Sequence, residues 1–555
     1  MALHQQGRLA EAERLYRALL AAQPNEPNAL QLLGTLLHQK GENDEAERLL
    51  RGAVARRPNE VHILVNLGAV LQALGKHDDA REIYRAALRL APNNAGAVAN
   101  LGTVEQSLGD LAGAIALYRR ATELDPAHAL AWQNLGLALD KQGDGPAALT
   151  AQAKAAAAAP GDAEPHYNMG VVAHRLGALA DAAAHYAAAV RLRPGHFRAL
   201  TNLGTVERDR ERYDAALAAY DAALAADANC HEARFNRALA LLTVGRLDEG
   251  FAEYERRWDS PTFPWKRRPY PQPPWRGQRP SAPDAALAIW AEQGVGDEVM
   301  FASFVPAAMA TGWRCIVECD RRLVPLYARS FPRAVVVPRL NPPDPAGLAA
   351  EVTAQVAVGS LPYFLRGKAA AGAAAQPFLR PDAQRRGEFR ARYAAAQSGP
   401  LIGISWRSGN KDVGTLRSAA LERWGPIFAL PGARFVNLQY GDCRADLVAA
   451  RALHGIDILH DETVDPLADL DAFAAQIAAL DFVVSIDNST VHFAGALGIP
   501  TLTLLTTAAE WRWGAAGETT YWYRDMRLFR QRARGDWSAP MEAAAADLRT
   551  RIQGG

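Results

Sequence analysis

The sequence predicts an α-solenoid of short helical hairpins followed by an α/β region with two Rossmann-like lobes. Two observations lead to this prediction. Proline and glycine recur every 34 residues through the first half of the chain. Short apolar runs then alternate with helical segments through the second half. With 555 residues, 49% of them apolar, the chain is long enough for two or three domains with sizeable cores.

Composition and charge exclude several classes of protein. The formal net charge of +1 gives no support for a nucleic-acid partner. No run approaches the roughly 18 apolar residues of a membrane span, and the first residues carry charges where a signal peptide needs an apolar centre. Four cysteines are too few for a disulfide framework. We therefore expect a soluble, cytoplasmic protein without an integral membrane segment.

The first half of the chain repeats four small or turn-forming residues in register. They are the glycines 34, 68, 102, 136, 170 and 204, a second set of glycines 7, 41, 75, 109, 143 and 177, the alanines 46, 80, 114, 148, 182 and 216, and the prolines 24, 58, 92, 126, 160 and 194. The first glycine and the alanine are small where neighbouring helices touch. The second glycine breaks the chain between helices, and the proline ends the second helix. This pattern closely resembles the tetratricopeptide repeat and predicts a solenoid over residues 1–258.

One asparagine also recurs in phase, two residues before each first glycine. The members of this asparagine ladder are Asn66, Asn100, Asn134, Asn168, Asn202 and Asn236. A row of amides offers donors and acceptors that suit the backbone of an extended peptide. Alternatively, Asn is simply frequent at this position of the repeat, although Ala is the better helix former by several tenths of a kcal/mol. The sequence leaves both interpretations open.

Residues 259–284 form a proline-rich linker. Eight prolines lie in 259–283, where Lys266 and four arginines alternate with Trp265, Tyr270 and Trp275. Basic and aromatic residues together also occur in proteins that bind single-stranded nucleic acid. We favour an ordered, polyproline-like strap that packs between domains.

The second half of the chain predicts parallel sheets flanked by helices. A charged helical segment at 381–397 divides it into a first lobe, 285–397, and a second lobe, 398–555. The predicted strands are 286–291, 314–319, 334–338, 354–358, 401–406, 434–439, 481–487 and 501–505. In such sheets, ligands bind beyond the carboxyl ends of the strands, so functional motifs are expected directly after strands.

Two motifs occupy such positions. In AEQGVGDEVMF, Asp297 follows two glycines between a strand and a helix. It is either a helix cap or a carboxylate that accepts a proton from an attacking hydroxyl. In VVSIDNSTVHFAGALGIP, Asn488, Ser489 and Thr490 begin a helix that carries His492. Such a helix start suits a diphosphate. The alternative is a plain capped helix with His492 packed beneath it.

Four stretches together resemble a known family: AEQGVGDEVMF, FVNLQYGD, DLDAFAAQIAALDFVVSIDNSTVHFAGALGIPT and EWRWG with the following WYRDMRLFRQ. They are similar to the heptosyltransferase-like family 9 glycosyltransferases, over about residues 285–550. The match is strongest to the bacterial subgroup in which this domain follows tetratricopeptide repeats. The resemblance implies the GT-B fold of two facing lobes. The layout, including the asparagine ladder, is also similar to that of protein O-GlcNAc transferases.

The resemblance implies a role for several residues. Asp297 corresponds to the proposed catalytic base, and Asn488, Ser489, Thr490 and His492 correspond to the helix start that binds the donor diphosphate. The loop after the strand at 401–406 would supply phosphate ligands from Arg407, Lys411 and Arg417, although the match is loose after Lys411. No histidine lies between 232 and 453, so the first lobe cannot supply a histidine base. Enzymes of this fold generally need no bound metal or cofactor, because helix N–H groups and cations stabilise the leaving group.

The sequence thus predicts an inverting, metal-independent glycosyltransferase. It would move a sugar from a nucleotide-activated donor to a hydroxyl of a protein acceptor, which the asparagine ladder of the repeats recruits. Two alternatives remain. One is a non-catalytic scaffold that only binds a nucleotide or a sugar. The other is a transferase whose acceptor is a surface saccharide, with the repeats serving to dock partners.

Overall fold

The computed structural model describes residues 2–365, 376–395, 399–409 and 414–554. The chain divides into two compact units, Met1–Glu207 and Arg208–Gly555. None of the helices within the described ranges is both long enough and apolar enough to cross a membrane.

The first half of the chain is a series of short helices in pairs. Each of the six recurring prolines lies two residues after the last residue of a second helix, as Pro58 does after α4, because its ring has no N–H to continue the helix. The helices are α1 (Ala2–Gln5), α2 (Leu9–Ala22), α3 (Pro27–Gln39), α4 (Asn43–Arg56), α5 (Val61–Ala73), α6 (His77–Leu90), α7 (Ala95–Ser107), α8 (Leu111–Leu124), α9 (Ala129–Gln142), α10 (Gly145–Ala158), α11 (Glu164–Arg175), α12 (Leu179–Leu192), α13 (Phe197–Asp209), α14 (Tyr213–Ala226), α15 (His231–Thr243) and α16 (Leu247–Tyr254).

The recurring small residues lie where helices touch. A Cβ atom added to Gly68 would come within 2.6 Å of the Tyr84 ring, and all six recurring alanines are fully buried. The six second-set glycines have φ between 71 and 95°, a left-handed conformation that L side chains rarely adopt. Glu211 occupies the same turn position in the next repeat, with φ of 60°.

The second half of the chain contains two parallel sheets. The first has the order β3-β2-β1-β4 and the second β10-β9-β8-β5-β6-β7. Ala288 of β1 pairs with Ile316 and Gln355, and Gly403 of β5 pairs with Val436 and Val483. The strands are β1 (Ala286–Trp290), β2 (Arg314–Cys319), β3 (Val335–Pro338), β4 (Val352–Ala357), β5 (Leu401–Ser405), β6 (Arg434–Asn437), β7 (Ile458–Leu459), β8 (Phe482–Ile486), β9 (Thr501–Leu505) and β10 (Met526–Arg530).

Both strand orders follow the Rossmann pattern, in which the chain reverses its direction of winding beside the first strand. The reversal lies between β1 and β4 in the first sheet and between β5 and β8 in the second. The covering helices are α17 (Val295–Ala302), α18 (Val305–Ala310), α19 (Val324–Ser330), α20 (Leu361–Phe364), α21 (Ala383–Ala394), α22 (Gly414–Arg417), α23 (Gly425–Phe428), α24 (Arg444–His454), α25 (Leu470–Ala478), α26 (Ser489–Leu497) and α27 (Ser538–Gly554).

The proline-rich segment runs along the first sheet. The Trp275 N–H donates to the Gln355 carbonyl of β4 at 2.7 Å, and the Gln355 N–H donates to the Pro273 carbonyl at 3.1 Å. Arg268 donates twice to the buried Glu318. Tyr270 and Trp275 are buried, whereas Trp265 is exposed. The segment is therefore an ordered strap against β4.

A buried ion pair joins the end of the repeats to the first lobe. Arg257, fully buried, donates two hydrogen bonds to Glu292 at 2.7 and 2.9 Å. Its guanidinium lies 4.7 Å from the Tyr254 ring centre and 4.5 Å from that of Trp258. This packing explains why the last repeat helices group with the α/β lobes, so that the compact units divide at 207/208 rather than at 258.

Candidate functional site

A cavity of about 250 Å³ lies at the carboxyl ends of the central strands of both sheets. The first lobe contributes the start of α17, which follows β1. The second lobe contributes the loop after β5 and the start of α26, which follows β8. We call it the donor cavity, after the sugar donor that the family resemblance predicts for these motifs. Its lining residues are Gly296, Asp297, Ser408, Arg417, Tyr440, Asp487, Asn488, Ser489, His492, Glu510 and Arg512.

Asp297 lies in the first turn of α17. The N-cap of this helix is Gly294, so the capping interpretation of Asp297 is wrong. Instead, its Oδ1 accepts a hydrogen bond from Arg512 Nε at 2.7 Å. Its side chain is only 17% exposed. Asp297 is therefore a carboxylate held in a fixed position at the cavity wall.

Gly296 allows the two lobes to approach closely. A Cβ atom at this position would lie 3.1 Å from His492 Cδ2 and 3.5 Å from Ser489 Cα. A side chain here would require His492 to move by a few tenths of an ångström, so the glycine suits the close approach of α17 and α26.

Asn488 builds the start of α26. Its Oδ1 accepts from the Thr490 N–H at 3.0 Å, and its Nδ2 donates to Ser405 Oγ at 2.7 Å. The side chain thereby ties the ends of β5 and β8 together and caps the helix. Ser489, the next residue, is half-buried and lines the cavity with the first N–H groups of the helix. This combination suits an anion.

Thr490 and His492 are enclosed within the second lobe. Thr490 is fully buried, does not line the cavity, and its hydroxyl makes no hydrogen bond to a described residue. His492 lines the cavity, but its ring stacks on Trp513 at 5.2 Å and its Nδ1 lies 3.0 Å from Tyr523 Oη. Burial, with a smaller effect from Arg512, lowers the pKa of His492 to about 3. His492 is thus neutral at pH 7 and cannot supply positive charge to a phosphate.

A chain of ion pairs crosses the donor cavity. Arg512 binds Asp297 and Glu510, while Arg417 binds Glu510 and lies 3.5 Å from Asp487. Glu510 thereby bridges the two arginines. The three carboxylates exceed the two guanidiniums by one, so the described lining has a formal charge of −1.

Of the other two basic residues predicted to bind phosphate, the described one, Arg407, is not part of this network. Arg407 points away from the cavity, since its side chain lies beside Asp446 Oδ2 at 3.3 Å and donates to the Asp442 carbonyl. Lys411 lies outside the described residues. Gln439 fixes the loop that begins at Arg407, because its Oε1 accepts from the N–H groups of Trp406 and Arg407 at 2.9 and 2.7 Å.

Sequence reasoning missed five polar or charged residues of the cavity: Ser408, Tyr440, Asp487, Glu510 and Arg512. Tyr440 belongs to FVNLQYGD, and Glu510 and Arg512 belong to EWRWG, two stretches that carried the family resemblance. Neither stretch contains a residue spacing that identifies a ligand-binding residue. Only the family resemblance of the two stretches could have indicated Tyr440, Glu510 and Arg512.

A second cavity, of about 470 Å³, adjoins the loop after β6. Side-chain amides of Asn437, Gln439 and Gln476 line it together with His460. Tyr440 lines the donor cavity, while its neighbours Gln439 and Gly441 line this one. The two cavities are therefore neighbours at the loop that follows β6.

The asparagine ladder is half-buried at all six positions. Asn202 Nδ2 donates to Tyr186 Oη at 3.3 Å, and Asn100 is hydrogen-bonded to the Tyr84 hydroxyl. Asn66 Nδ2 instead donates to Thr35 Oγ1 at 3.1 Å. Part of the ladder therefore links one repeat to the preceding one.

Models of the tetratricopeptide repeat match residues 3–67, 59–127, 99–163, 134–197 and 201–263. Together with the paired helices, these matches establish the first half of the chain as a tetratricopeptide-repeat array. The solved structures that resemble the chain include MamA, 26% identical, with a TM-score of 0.28 over 29% of this chain and 94% of MamA. They also include YrrB, a repeat protein with an unusual peptide-binding site, 22% identical, with a TM-score of 0.29 over 33% of this chain and 95% of YrrB.

Protein FlbA of Caulobacter vibrioides is 33% identical over 358 residues. The match covers 61% of this chain and 59% of FlbA, so the chain spans less than two thirds of that relative. The residues matched by repeat models make up less than half of the chain. The likeness to FlbA therefore extends into the α/β lobes.

Proposed function

We propose that the chain is an inverting, metal-independent glycosyltransferase of the GT-B type that modifies a protein. The observation that supports it most is the donor cavity, where Asp297 of one Rossmann-like lobe faces the helix start at Asn488 and Ser489 of the other. A nucleotide-activated sugar would lie between them, and the repeats would recruit the acceptor. The cytoplasmic location expected from the sequence belongs to the same proposal.

Asp297 is the proposed base. Both of its contacts with described residues end on Oδ1, so Oδ2 is left to accept the proton of the acceptor hydroxyl. As that proton moves, the acceptor oxygen bonds to the anomeric carbon and the bond from this carbon to the phosphate oxygen breaks. The electron pair of this bond leaves with the phosphate. Because the acceptor attacks the face of the anomeric carbon opposite to the phosphate, the anomeric configuration is inverted.

The leaving phosphate would bind at the start of α26 and at Arg417. The formal charge of −1 in the described lining opposes an anion, and Glu510 occupies both arginines. We therefore expect the phosphate to displace Glu510 and to take over its two cationic partners. Lys411, which the family resemblance places in the adjoining loop, is a further candidate ligand.

The adjacent cavity beside β6 would hold the nucleotide base. Gln476 and His460 on its wall offer polar atoms that suit the edge of a base. A bound nucleotide sugar would thus extend from this cavity to Asp297, with the diphosphate between.

A thermal-shift panel of nucleotides and nucleotide sugars tests the donor proposal. One nucleotide class should raise the melting temperature in a concentration-dependent manner. The variant Ser489→Asp, which places a carboxylate at the helix start, should abolish this shift. The control Ser107→Asp changes an exposed serine of the repeats and should retain it. No shift with any nucleotide or nucleotide sugar would remove the basis of the proposal.

The second candidate is a repeat scaffold without turnover, which the established repeat array favours. It predicts the same nucleotide binding but no hydrolysis or transfer, and no effect of Asp297 on either. A saccharide acceptor remains the other alternative, and it predicts transfer that does not depend on the asparagine ladder.

A further inference from the structure

A further cavity of about 420 Å³ lies within the Arg208–Gly555 unit. One wall comes from the last repeat helices, with Phe235 and Leu239 of α15 and Tyr254 of α16. Another part of the lining comes from residues 508–512. We call it the ring pocket. Its volume falls in the range of about 300–1,000 Å³ that is typical of ligand sites.

Aromatic rings form a continuous surface along the ring pocket. The ring centres of Phe263 and Phe235 are 5.6 Å apart, those of Phe235 and Tyr254 are 6.1 Å apart, and those of Tyr254 and Trp511 are 5.9 Å apart. Tyr254 is held in place by a 2.8 Å hydrogen bond from Gln293 Nε2 to its hydroxyl. This part of the lining is thus aromatic and fixed, which favours binding of a flat apolar group, whereas Arg208, Asp209, Arg417, Glu510 and Arg512 make the rest of the lining charged.

The ring pocket adjoins the donor cavity. Arg417, Glu510 and Arg512 line both. The Arg512 guanidinium lies 5.0 Å from the Trp511 ring centre and also binds Asp297. A group bound against Trp511 is therefore one side chain away from the proposed base.

We propose that the ring pocket binds a large apolar or aromatic side chain of the acceptor polypeptide, close in sequence to the hydroxyl that receives the sugar. This inference rests on the proposed function. A polypeptide is favoured because one wall consists of repeat helices, and because an aromatic anchor in an apolar pocket is a common source of specificity in protein recognition. The pocket would select acceptors, whereas the asparagine ladder would bind any extended backbone.

Fluorescence polarisation with labelled nine-residue peptides tests this inference on the full chain. Each peptide pool has a central Ser or Thr and one neighbouring position fixed as Phe, Trp, Ala or Asp. Pools with Phe or Trp at one particular position should bind about 10- to 100-fold more tightly than the alanine pool, as expected from burial of one large apolar side chain. The variant Leu239→Trp, which fills the pocket, should reduce that preference to less than threefold.

The control Leu453→Trp adds the same indole at a residue that is 58% exposed and should keep the full preference. If Leu239→Trp lowers the melting temperature, the milder Leu239→Phe replaces it. Equal affinity for all pools, while nucleotide sugars still bind, would overturn the inference and leave the proposed function intact. Tight binding of oligosaccharides that Leu239→Trp abolishes would also overturn it. Absence of any nucleotide-sugar binding would contradict the proposed function itself.

Discussion

At the scale of single residues, Glu510 determines the charge of the donor cavity. It bridges Arg417 and Arg512, although its own side chain is 34% exposed. An exposed carboxylate that binds two more buried guanidiniums is readily exchanged for a phosphate, which makes stronger charge-assisted hydrogen bonds. The carboxylate therefore competes with the ligand for the same two cations.

Replacing this carboxylate should strengthen nucleotide binding. Glu510→Gln removes one negative charge and frees both arginines, so we expect the dissociation constant of the nucleotide identified by thermal shift to fall about 5- to 20-fold. Isothermal titration calorimetry measures the change. The control Glu518→Gln alters a carboxylate that is 72% exposed and should leave the constant unchanged. Weaker binding in Glu510→Gln would show that Glu510 contacts the ligand instead of competing with it.

His492 makes the second lobe sensitive to acid. The folded pKa of about 3 lies below the ordinary value of 6.5, so the unfolded state binds more protons between these values. The stability that neutral His492 contributes is therefore fully present above about pH 6.5. It is lost as the pH falls towards 3, by up to about 1.4 kcal/mol per pH unit. His492→Phe should remove this part of the pH dependence. Urea unfolding, followed by tryptophan fluorescence, measures the free energy of unfolding at each pH. If this free energy changes equally with pH in both proteins, the result would contradict a neutral imidazole at His492.

At the scale of secondary-structure elements, the contacts of the asparagine ladder change the effect on stability that we expect from its substitution. The sequence alone suggests that Ala in place of Asn favours the helices. The structure shows that Asn202 and Asn100 bind buried tyrosine hydroxyls. Substitution therefore costs about 0.5–1.5 kcal/mol for each lost hydrogen bond, which outweighs the gain in helix propensity.

Two variants separate the structural role of the ladder from peptide recognition. Asn202→Ala removes the amide, whereas Tyr186→Phe removes only its internal partner. Both should lower the free energy of unfolding by about 1 kcal/mol. If the ladder binds acceptor backbones, only Asn202→Ala should also weaken acceptor binding, by about fivefold, and the quadruple change at 100, 134, 168 and 202 should nearly abolish it. Equal acceptor binding by all variants would mean that the ladder only joins repeats.

The ion pair between Arg257 and Glu292 holds the last repeat on the first lobe. Glu292→Gln would leave the fully buried guanidinium of Arg257 with Glu255, at 3.1 Å, as its remaining described carboxylate partner, at a cost of up to about 3–5 kcal/mol. We expect a loss of that size in urea unfolding of the full chain. The neighbouring Arg256, 65% exposed beside Asp259, provides the matched control, since Arg256→Ala should change stability by less than about 0.5 kcal/mol. A small effect of Glu292→Gln would mean that other contacts hold the junction.

At the scale of the whole molecule, the repeats and most strands follow from local patterns. The spacing of Gly68, Ala80 and Pro92 reflects contacts within one hairpin, so a single sequence reveals it. All eight predicted runs overlap a strand, but β7 and β10 were not predicted. The former has only two residues, and the latter has two arginines among its five residues. The network of Asp297, Arg512 and Glu510 joins residues more than 200 positions apart, which no local pattern encodes.

The most direct test of the central claim compares Asp297→Asn with the wild-type chain, using the nucleotide sugar that binds most tightly. Calorimetry should give donor affinities within about threefold of each other, because the amide keeps the shape of the carboxylate. Sugar transfer, or hydrolysis of the donor, should fall by about 10²–10⁴-fold, whereas the control Asp457→Asn, at a carboxylate 78% exposed, should keep full activity. Normal turnover in Asp297→Asn would contradict a base at this position and with it the proposed mechanism.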